Sequence, residues 1–340
     1  MFVSQTKNVS KVAIGGLIMY AAVVRSFHTT PKYEVFDDPQ PSGKNEILAD
    51  VLAAGLHTRV RSQANGSHYT STDELPLIPG IDGVGRLPDG QLVYFVAPDT
   101  SFGTFAEKTV IDLRRSVPLP EGVDPVLIAA AMNPAMSSWV ALQRRIDFQP
   151  GHKVLVLGAT GNSGQMAVQI AKLLGASKVI GAGRDQERLN SLAALGADTV
   201  VSLAGDPEEA AERLGEAASE VDIVIDYLWG KPAELAMLPM LTKRTDRSRA
   251  LTWIQIGSVA GPTAAVPSVA LRSANFQLLG SGQGSVSTAG YVAEFPALID
   301  AIATGKLTVN LASFPLSKVE DVWNAPSNLG QRVVFIPTFR

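Results

Sequence analysis

The stretch Lys153-Val154-Leu155-Val156-Leu157-Gly158-Ala159-Thr160-Gly161-Asn162-Ser163-Gly164 decides how this chain is read. An apolar run of strand length ends at a glycine, and a turn of small residues leads into an amphipathic segment. From Ser163 to Gly175 the apolar side chains Met166, Ile170, Leu173 and Leu174 fall on one side of a helix. Lys178 to Ile180 then reads as a second strand. Strand, glycine turn, helix and strand in about thirty residues is the length of one βαβ unit. In that context the small residues have a physical purpose. They let backbone approach a pyrophosphate closely, and the phosphates sit on the unpaired N–H groups that open a helix. Without the flanking strand and helix the same glycines would be an ordinary turn. With them, Ala159, Thr160, Gly161, Asn162, Ser163 and Gly164 are candidate dinucleotide-binding residues.

The end of the second strand selects the cofactor. An NAD site places Asp or Glu there to accept from the ribose 2′-hydroxyl. This chain has Gly181-Ala182-Gly183-Arg184 instead. Gly183 leaves room for a 2′-phosphate and Arg184 offers a planar, permanent cation for it. Arg188 lies one helical turn on. The expected cofactor is therefore NADP(H), although solvated arginines with Asp185 pairing locally would look the same in sequence.

Outward from this unit, the pattern continues as alternating strands and helices. Asp185 to Leu195 reads as a helix closed by Gly196, and Pro207 opens an acidic helix through Ala218. Thr199–Leu203, Asp222–Ile225, Leu251–Ile256 and Phe276–Gly280 read as buried strands of a parallel sheet. Residues 19 to about 130 have another texture, with short β-like runs (Glu46–Val51, Gln91–Val96) broken by turns such as Pro88-Asp89-Gly90. The expected fold is α/β: a Rossmann-type parallel-sheet domain plus a strand-rich, partly open barrel. The expected boundaries are 1–133 for the barrel, with an extension at 1–18, 134–285 for the dinucleotide-binding domain, and 286–340 for a tail returning to the barrel. In that tail Tyr291–Thr304 reads as a helix and Arg332–Ile336 as a strand.

Composition bounds the rest. With 46% hydrophobic and 18% charged residues, 340 residues build two cores, and a net charge of −3 argues against nucleic acid or an anionic membrane. Cysteine is absent, which excludes disulfides and thiolate metal sites and fits a reducing, cytoplasmic setting. The apolar run Val12–Val24 behind Lys7 and Lys11 resembles a secretory signal, but Met19 to Arg25 reads better as the first strand. No later segment reads as long and apolar enough for a transmembrane helix.

Three further stretches carry a resemblance: Pro76-Leu77-Ile78-Pro79-Gly80-Ile81-Asp82-Gly83-Val84-Gly85, Gly103-Thr104-Phe105-Ala106-Glu107, and Gln149-Pro150-Gly151 ahead of the glycine turn. Together with Gly257-Ser258 and Gly330-Gln331-Arg332-Val333, their order resembles the medium-chain dehydrogenase/reductase superfamily over nearly the whole chain after Met19. The resemblance implies a GroES-like first domain and a homodimer. Zinc-dependent members carry cysteine and a Gly-His-Glu motif where this chain reads Gly80-Ile81-Asp82. It thus resembles the zinc-free, quinone oxidoreductase-like branch, which implies direct hydride transfer to a small quinone or enone. An enoyl or alkenal reductase in a biosynthetic pathway and a non-catalytic NADPH-binding protein stay open beside this reading. The resemblance also implies that Ser137 contacts the nicotinamide, that Gly257 and Ser258 lie beneath its ribose, and that Gly280, Ser281 and Gly282 flank the carboxamide. Arg332, with Asn328, is implied to reach the cofactor phosphates. The family's Asn-Pro pair is replaced by His57-Thr58, so His57, His68 and Tyr69 are the candidates for substrate contact or proton donation, with a bystander role equally open for each.

Overall fold

The computed structural model describes residues 18–68, 70–98, 100–325 and 330–339. The first layer begins with β1 (Ile18–Val23) and β2 (Lys32–Asp37), an antiparallel pair of its own. There follow β3 (Glu46–Leu56), α1 (Thr58–Ala64), β4 (Asp82–Arg86), β5 (Leu92–Val96), β6 (Lys108–Asp112) and β7 (Ser116–Pro118). β3 organises this layer because it is long enough to pair with three strands in succession. Its first half faces β6, its centre faces β4 across a bulge between Val51 and Ala53, and its end faces β15 (Arg332–Ile336). The tail of the chain, β14 (Leu311–Pro315) and β15, thereby completes a sheet started near the beginning. α9 (Val319–Trp323) lies between these two strands in sequence.

The second layer is a six-stranded parallel sheet. In chain order it contains β8 (Lys153–Leu157), α3 (Asn162–Leu173), β9 (Lys178–Gly183), α4 (Gln186–Ser191), β10 (Thr199–Ser202), α5 (Pro207–Ala218), β11 (Ile223–Asp226), α6 (Gly230–Thr242), β12 (Leu251–Gln255), α7 (Ser268–Ser273) and β13 (Phe276–Gly280). α8 (Thr288–Ala303) follows. The strand order is β10-β9-β8-β11-β12-β13, so growth of the sheet reverses between β8 and β11. Open parallel sheets bind ligands beyond the carboxyl ends of their strands at such a reversal. Helices cover both faces, which is why Val154 to Leu157 are a continuous buried run rather than an alternating one. Local signals agree with this arrangement. Pro207 stands at the first turn of α5, and Asp206 accepts from the Glu208 and Glu209 N–H groups at 3.0 Å each.

Between the layers runs α2 (Pro125–Val140), prolonged by a wide turn to Arg145. It packs on β3, β4 and β15 on one side and on α3 and α8 on the other. This corrects one expectation. Pro125–Arg145 is long and apolar enough, by length and composition, to cross a membrane, and 67% of its most apolar window is buried inside the protein. Residue 134, where the sequence texture shifts, lies inside this helix.

Candidate active site

The glycine turn ties β8 to β9 before it opens α3. Gly158 adopts φ +83°, and the N–H groups of Gly158 and Ala159 both donate to the Ala182 carbonyl, at 3.0 and 2.9 Å. Gly161 caps α3 with extended backbone and no side-chain hydrogen bond. The Gln165 N–H donates to the Gly161 carbonyl at 2.9 Å, so the amides before it point out of the helix start with the positive end of its dipole. The glycines differ in what they allow. A Cβ at Gly164 would lie 2.2 Å from the Gly158 carbonyl oxygen, whereas one at Gly161 would meet nothing nearer than 3.5 Å. Gly164 thus serves the packing of helix on turn, and Gly161 keeps the approach to the amides open. These are the two requirements of a pyrophosphate cradle.

β9 runs three residues beyond the expected strand, to Gly183. A Cβ there would lie 2.6 Å from Thr160 Cγ2, which presses the strand end against the glycine turn. Arg184 follows at the surface. Asp185 caps α4 by accepting from the Arg188 N–H at 3.1 Å and pairs with Arg188 Nε at 3.4 Å. A Cβ at Gly330 would lie 3.6 Å from Arg188 Nε and 3.7 Å from Gln165 Nε2, so the C-terminal segment returns onto the same turn. Asn328 lies outside the described residues.

Gly257, Ser258, Gly280, Ser281 and Gly282 follow the carboxyl ends of the parallel strands β12 and β13, and Ser137 reaches the end of β11 from α2. Gly257 follows β12, its N–H donating to the Asp226 carbonyl at 3.0 Å, and Ser258 is exposed beside it. Gly280 ends β13; Ser281 is buried, with its N–H donating to the Gln255 carbonyl at 2.9 Å, and the Gly282 N–H donates to Ser285 Oγ at 2.9 Å. Ser137 comes from α2 and meets the Tyr227 hydroxyl at 2.9 Å. Tyr227 directly follows β11, and burial pushes its phenol up to about 12. Asp226 before it is fully buried. Its carboxylate accepts from the Leu228 and Trp229 N–H groups at 2.8 and 2.9 Å and from Trp253 Nε1 at 2.9 Å, which closes the turn between β11 and α6.

The antiparallel layer contains a buried polar group that sequence reading did not assemble. His57 Nε2 meets Asp82 Oδ1 at 3.1 Å, and the Tyr94 hydroxyl donates to Asp82 Oδ2 at 2.9 Å. Arg332 is 5% exposed and donates to Asn133 Oδ1 at 3.3 Å. Burial pulls its guanidinium down to about 10, with the Asp82 charge opposing. Its side chain faces Asn133 of α2 at the seam between the layers. Asp82, Tyr94 and Asn133 were missed because nothing local marks them; Asp82 lies 25 positions from His57 and 12 from Tyr94.

Two of the three substrate candidates, His57 and His68, lie within the described residues, and they meet different partners. His57 is 5% exposed and turned inward onto Asp82; burial lowers it to about 4, so it is neutral near pH 7. Its ring is committed to the Asp82 carboxylate, a partner that the sequence reading did not name. His68 is half-buried beyond α1, its Nδ1 at 2.9 Å from Thr70 Oγ1, and Tyr69 lies outside the described residues. Arg59, on α1, donates to Gln283 Oε1 and so links the first layer to the loop after Gly282.

The depressed His57 has a pH consequence. Its unfolded value is 6.5 and its folded value about 4, so the unfolded chain takes up the proton first as pH falls. The stability from neutral His57 is whole above pH 6.5 and lost between 6.5 and about 4, a difference of about 3 kcal/mol. Urea unfolding across that window is expected to show the slope in the wild type and a shallower one in His57→Gln; equal slopes would refute the assignment.

Comparison with known proteins agrees with this architecture. A family model described as zinc-binding dehydrogenase matches residues 164–304. Over 94% of this chain and the whole of the relative, the sequence is 33% identical to the Emericella nidulans protein named "Probable NADPH-dependent quinone reductase tdiC". Quinone oxidoreductase-like protein 2 of Rattus norvegicus is 27% identical over 71% of this chain and 69% of its own length. Among solved structures, the quinone oxidoreductase of Thermus thermophilus superposes with a TM-score of 0.73 at 26% identity, covering 94% of this chain and all of that one. The glycine turn, the reversed strand order and these relatives converge: the chain belongs to the quinone oxidoreductase-like branch of the medium-chain dehydrogenase/reductase superfamily.

Proposed function

We propose that this protein is an NADPH-dependent oxidoreductase that passes hydride directly, without zinc, to a quinone or another activated conjugated carbonyl. The observation that carries the reading is the pairing of an open cradle at Gly161 with Gly183-Arg184 at the end of β9, where an NAD site would hold an acid. The cradle amides and Ala159 to Gly164 would hold the pyrophosphate, and Arg184, with Arg188, the 2′-phosphate. Residues 134–285 would form the cofactor unit, and 1–133 with 286–340 the substrate wall. When bound, the cofactor supplies the hydride; the protein supplies orientation and a dry cleft. The zinc-free part rests on donor chemistry: the chain has no cysteine, and a buried Ile81 stands between Gly80 and Asp82 where the resemblance would place a histidine ligand. We assign substrate contact to His68, half-buried beyond α1, while His57 serves to hold Asp82. The quinone reductase named among the relatives supports the acceptor class.

The test is a titration of wild type and Arg184→Ala with NADPH and NADH, followed by loss of NADPH absorbance on a panel of quinones and enones. Losing charge-assisted bonds to a phosphate is expected to weaken NADPH by about 10- to 100-fold and to leave NADH nearly unchanged. Equal weakening of both cofactors would overturn the 2′-phosphate assignment. Tight NADPH binding with no acceptor able to oxidise it would favour the non-catalytic reading.

A further inference from the structure

Arg59 joins the two layers at the loop that follows β13. Its Nη2 donates to Gln283 Oε1 and, at 3.4 Å, to Thr70 Oγ1. The same threonine hydroxyl lies 2.9 Å from His68 Nδ1, so the guanidinium stands beside the residue assigned above to substrate contact. Arg59 is half-buried with its Nε inside the protein, whereas Gln283 is exposed. The loop that offers Gln283 is fixed at both ends by Arg145, which donates to the Gly280 carbonyl at 3.0 Å and to the Ser285 carbonyl at 3.3 Å. On the NADPH reading, a 2′-phosphate at the end of β9 puts the adenosine over the half of the sheet formed by β8, β9 and β10. The nicotinamide then lies over the other half, β11, β12 and β13, on the side of this loop.

Hydride transfer makes a demand at that place. Addition to the electron-poor carbon of an enone or quinone forms a C–H bond, and the displaced π pair ends on the carbonyl oxygen as an oxyanion. The nicotinamide is oxidised, and the oxygen later takes a proton from water. Such an oxygen is held best by a fixed cationic donor. The amide carbonyl on Arg59 Nη2 is an oxygen of the same planar type as the acceptor's, carried by an exposed side chain that can swing away. The field there has the required sign: burial lowers His57, and the charges of Arg332 and Arg59 lower it further. We propose that Arg59 is a catalytic residue whose guanidinium receives the carbonyl oxygen of the acceptor and holds the negative charge that forms on it, with Gln283 Oε1 marking the position this oxygen takes. The proposal rests on the NADPH reading and adds to it the group that meets the acceptor.

Calorimetric titration of the NADP+ complex with para-nitrophenolate and para-nitroanisole tests this without turnover, because the two share a ring and only the first carries an oxyanion. Arg59→Gln is expected to weaken the phenolate about 10- to 100-fold, the scale of a charge-assisted hydrogen bond, and to leave nitroanisole and NADP+ unchanged. Gln283→Ala is expected to tighten the phenolate, since a competing oxygen is gone. In turnover, Arg59→Gln is expected to lower kcat about 100-fold, and Arg59→Lys to restore part of it. Unchanged phenolate affinity in Arg59→Gln would overturn the proposal, and equal weakening of both ligands would replace it by a packing role. Should Arg59→Gln not fold, Gln283→Ala decides: phenolate bound no tighter than by wild type again overturns it. Wild type that binds NADP+ but no phenolate refutes this proposal alone; wild type that binds no NADP+ refutes the NADPH reading, and the proposal with it.

Discussion

Asp82→Ala is expected to cost about 4 kcal/mol of stability, the largest loss among the single substitutions considered. The carboxylate has two side-chain partners in the interior, the Tyr94 hydroxyl at 2.9 Å and His57 Nε2 at 3.1 Å. Alanine leaves both donors buried without an acceptor, and each such orphan costs about 1–3 kcal/mol. It also removes the negative charge that offsets the burial of Arg332. The bond from Thr104 Oγ1 to the Asp82 carbonyl, at 3.0 Å, involves backbone and persists, so the loss is attributable to the carboxylate. Urea unfolding followed by circular dichroism measures it. A loss below about 1 kcal/mol would mean that water or a neighbour takes over the donors and that the cluster is not an energetic unit.

Gly164→Ala and Gly161→Ala are expected to fail in different ways, although they differ by three positions in one turn. At Gly164 the added methyl would stand 2.2 Å from the Gly158 oxygen and 2.6 Å from the Ala159 Cα, both backbone atoms that cannot rotate away. α3 must then shift from the turn, at a cost of about 3 kcal/mol, with loss of cofactor binding as the amides move. At Gly161 the nearest atom is 3.5 Å away, so the fold tolerates the methyl and its melting temperature stays near wild type. The methyl would still occupy the approach to the helix amides, and binding of NADPH is expected to fall by about ten-fold or more. Thermal unfolding and calorimetric titration of the two variants separate these outcomes. Undiminished NADPH affinity in Gly161→Ala would remove the pyrophosphate from this turn.

The parts legible in sequence are those whose cause is local. β8 matched Lys153–Leu157 to the residue, and the acidic helix opened at Pro207, as a proline in the first turn predicts. Where local signals were mixed, tertiary packing decided. The helix expected over 185–195 ends at Ser191 and tightens into a 3-10 turn before Gly196 at φ +104°. β9 continues through Gly181-Ala182-Gly183, residues of low strand preference, because a small strand end is needed there: a Cβ at Gly181 would lie 2.7 Å from Leu192 Cδ1. α2 was not foreseen at all. It is apolar on nearly every side, since it is buried between two layers, and so it shows no one-sided stripe; Pro134 in its middle also argues locally against a helix.

By itself the sequence determined the turn from Gly158 to Gly164, the small residue and the arginine at 183 and 184, and the absence of any cysteine ligand. Each is a property of consecutive residues acting on their own backbone. Only the tertiary structure decided that His57 is buried on Asp82, that Arg332 turns to Asn133, and that Tyr227 meets Ser137. Those last two pairs are 199 and 90 positions apart. No local spacing encodes them, because they exist only once β15 has paired with β3 and α2 has settled between the two sheets.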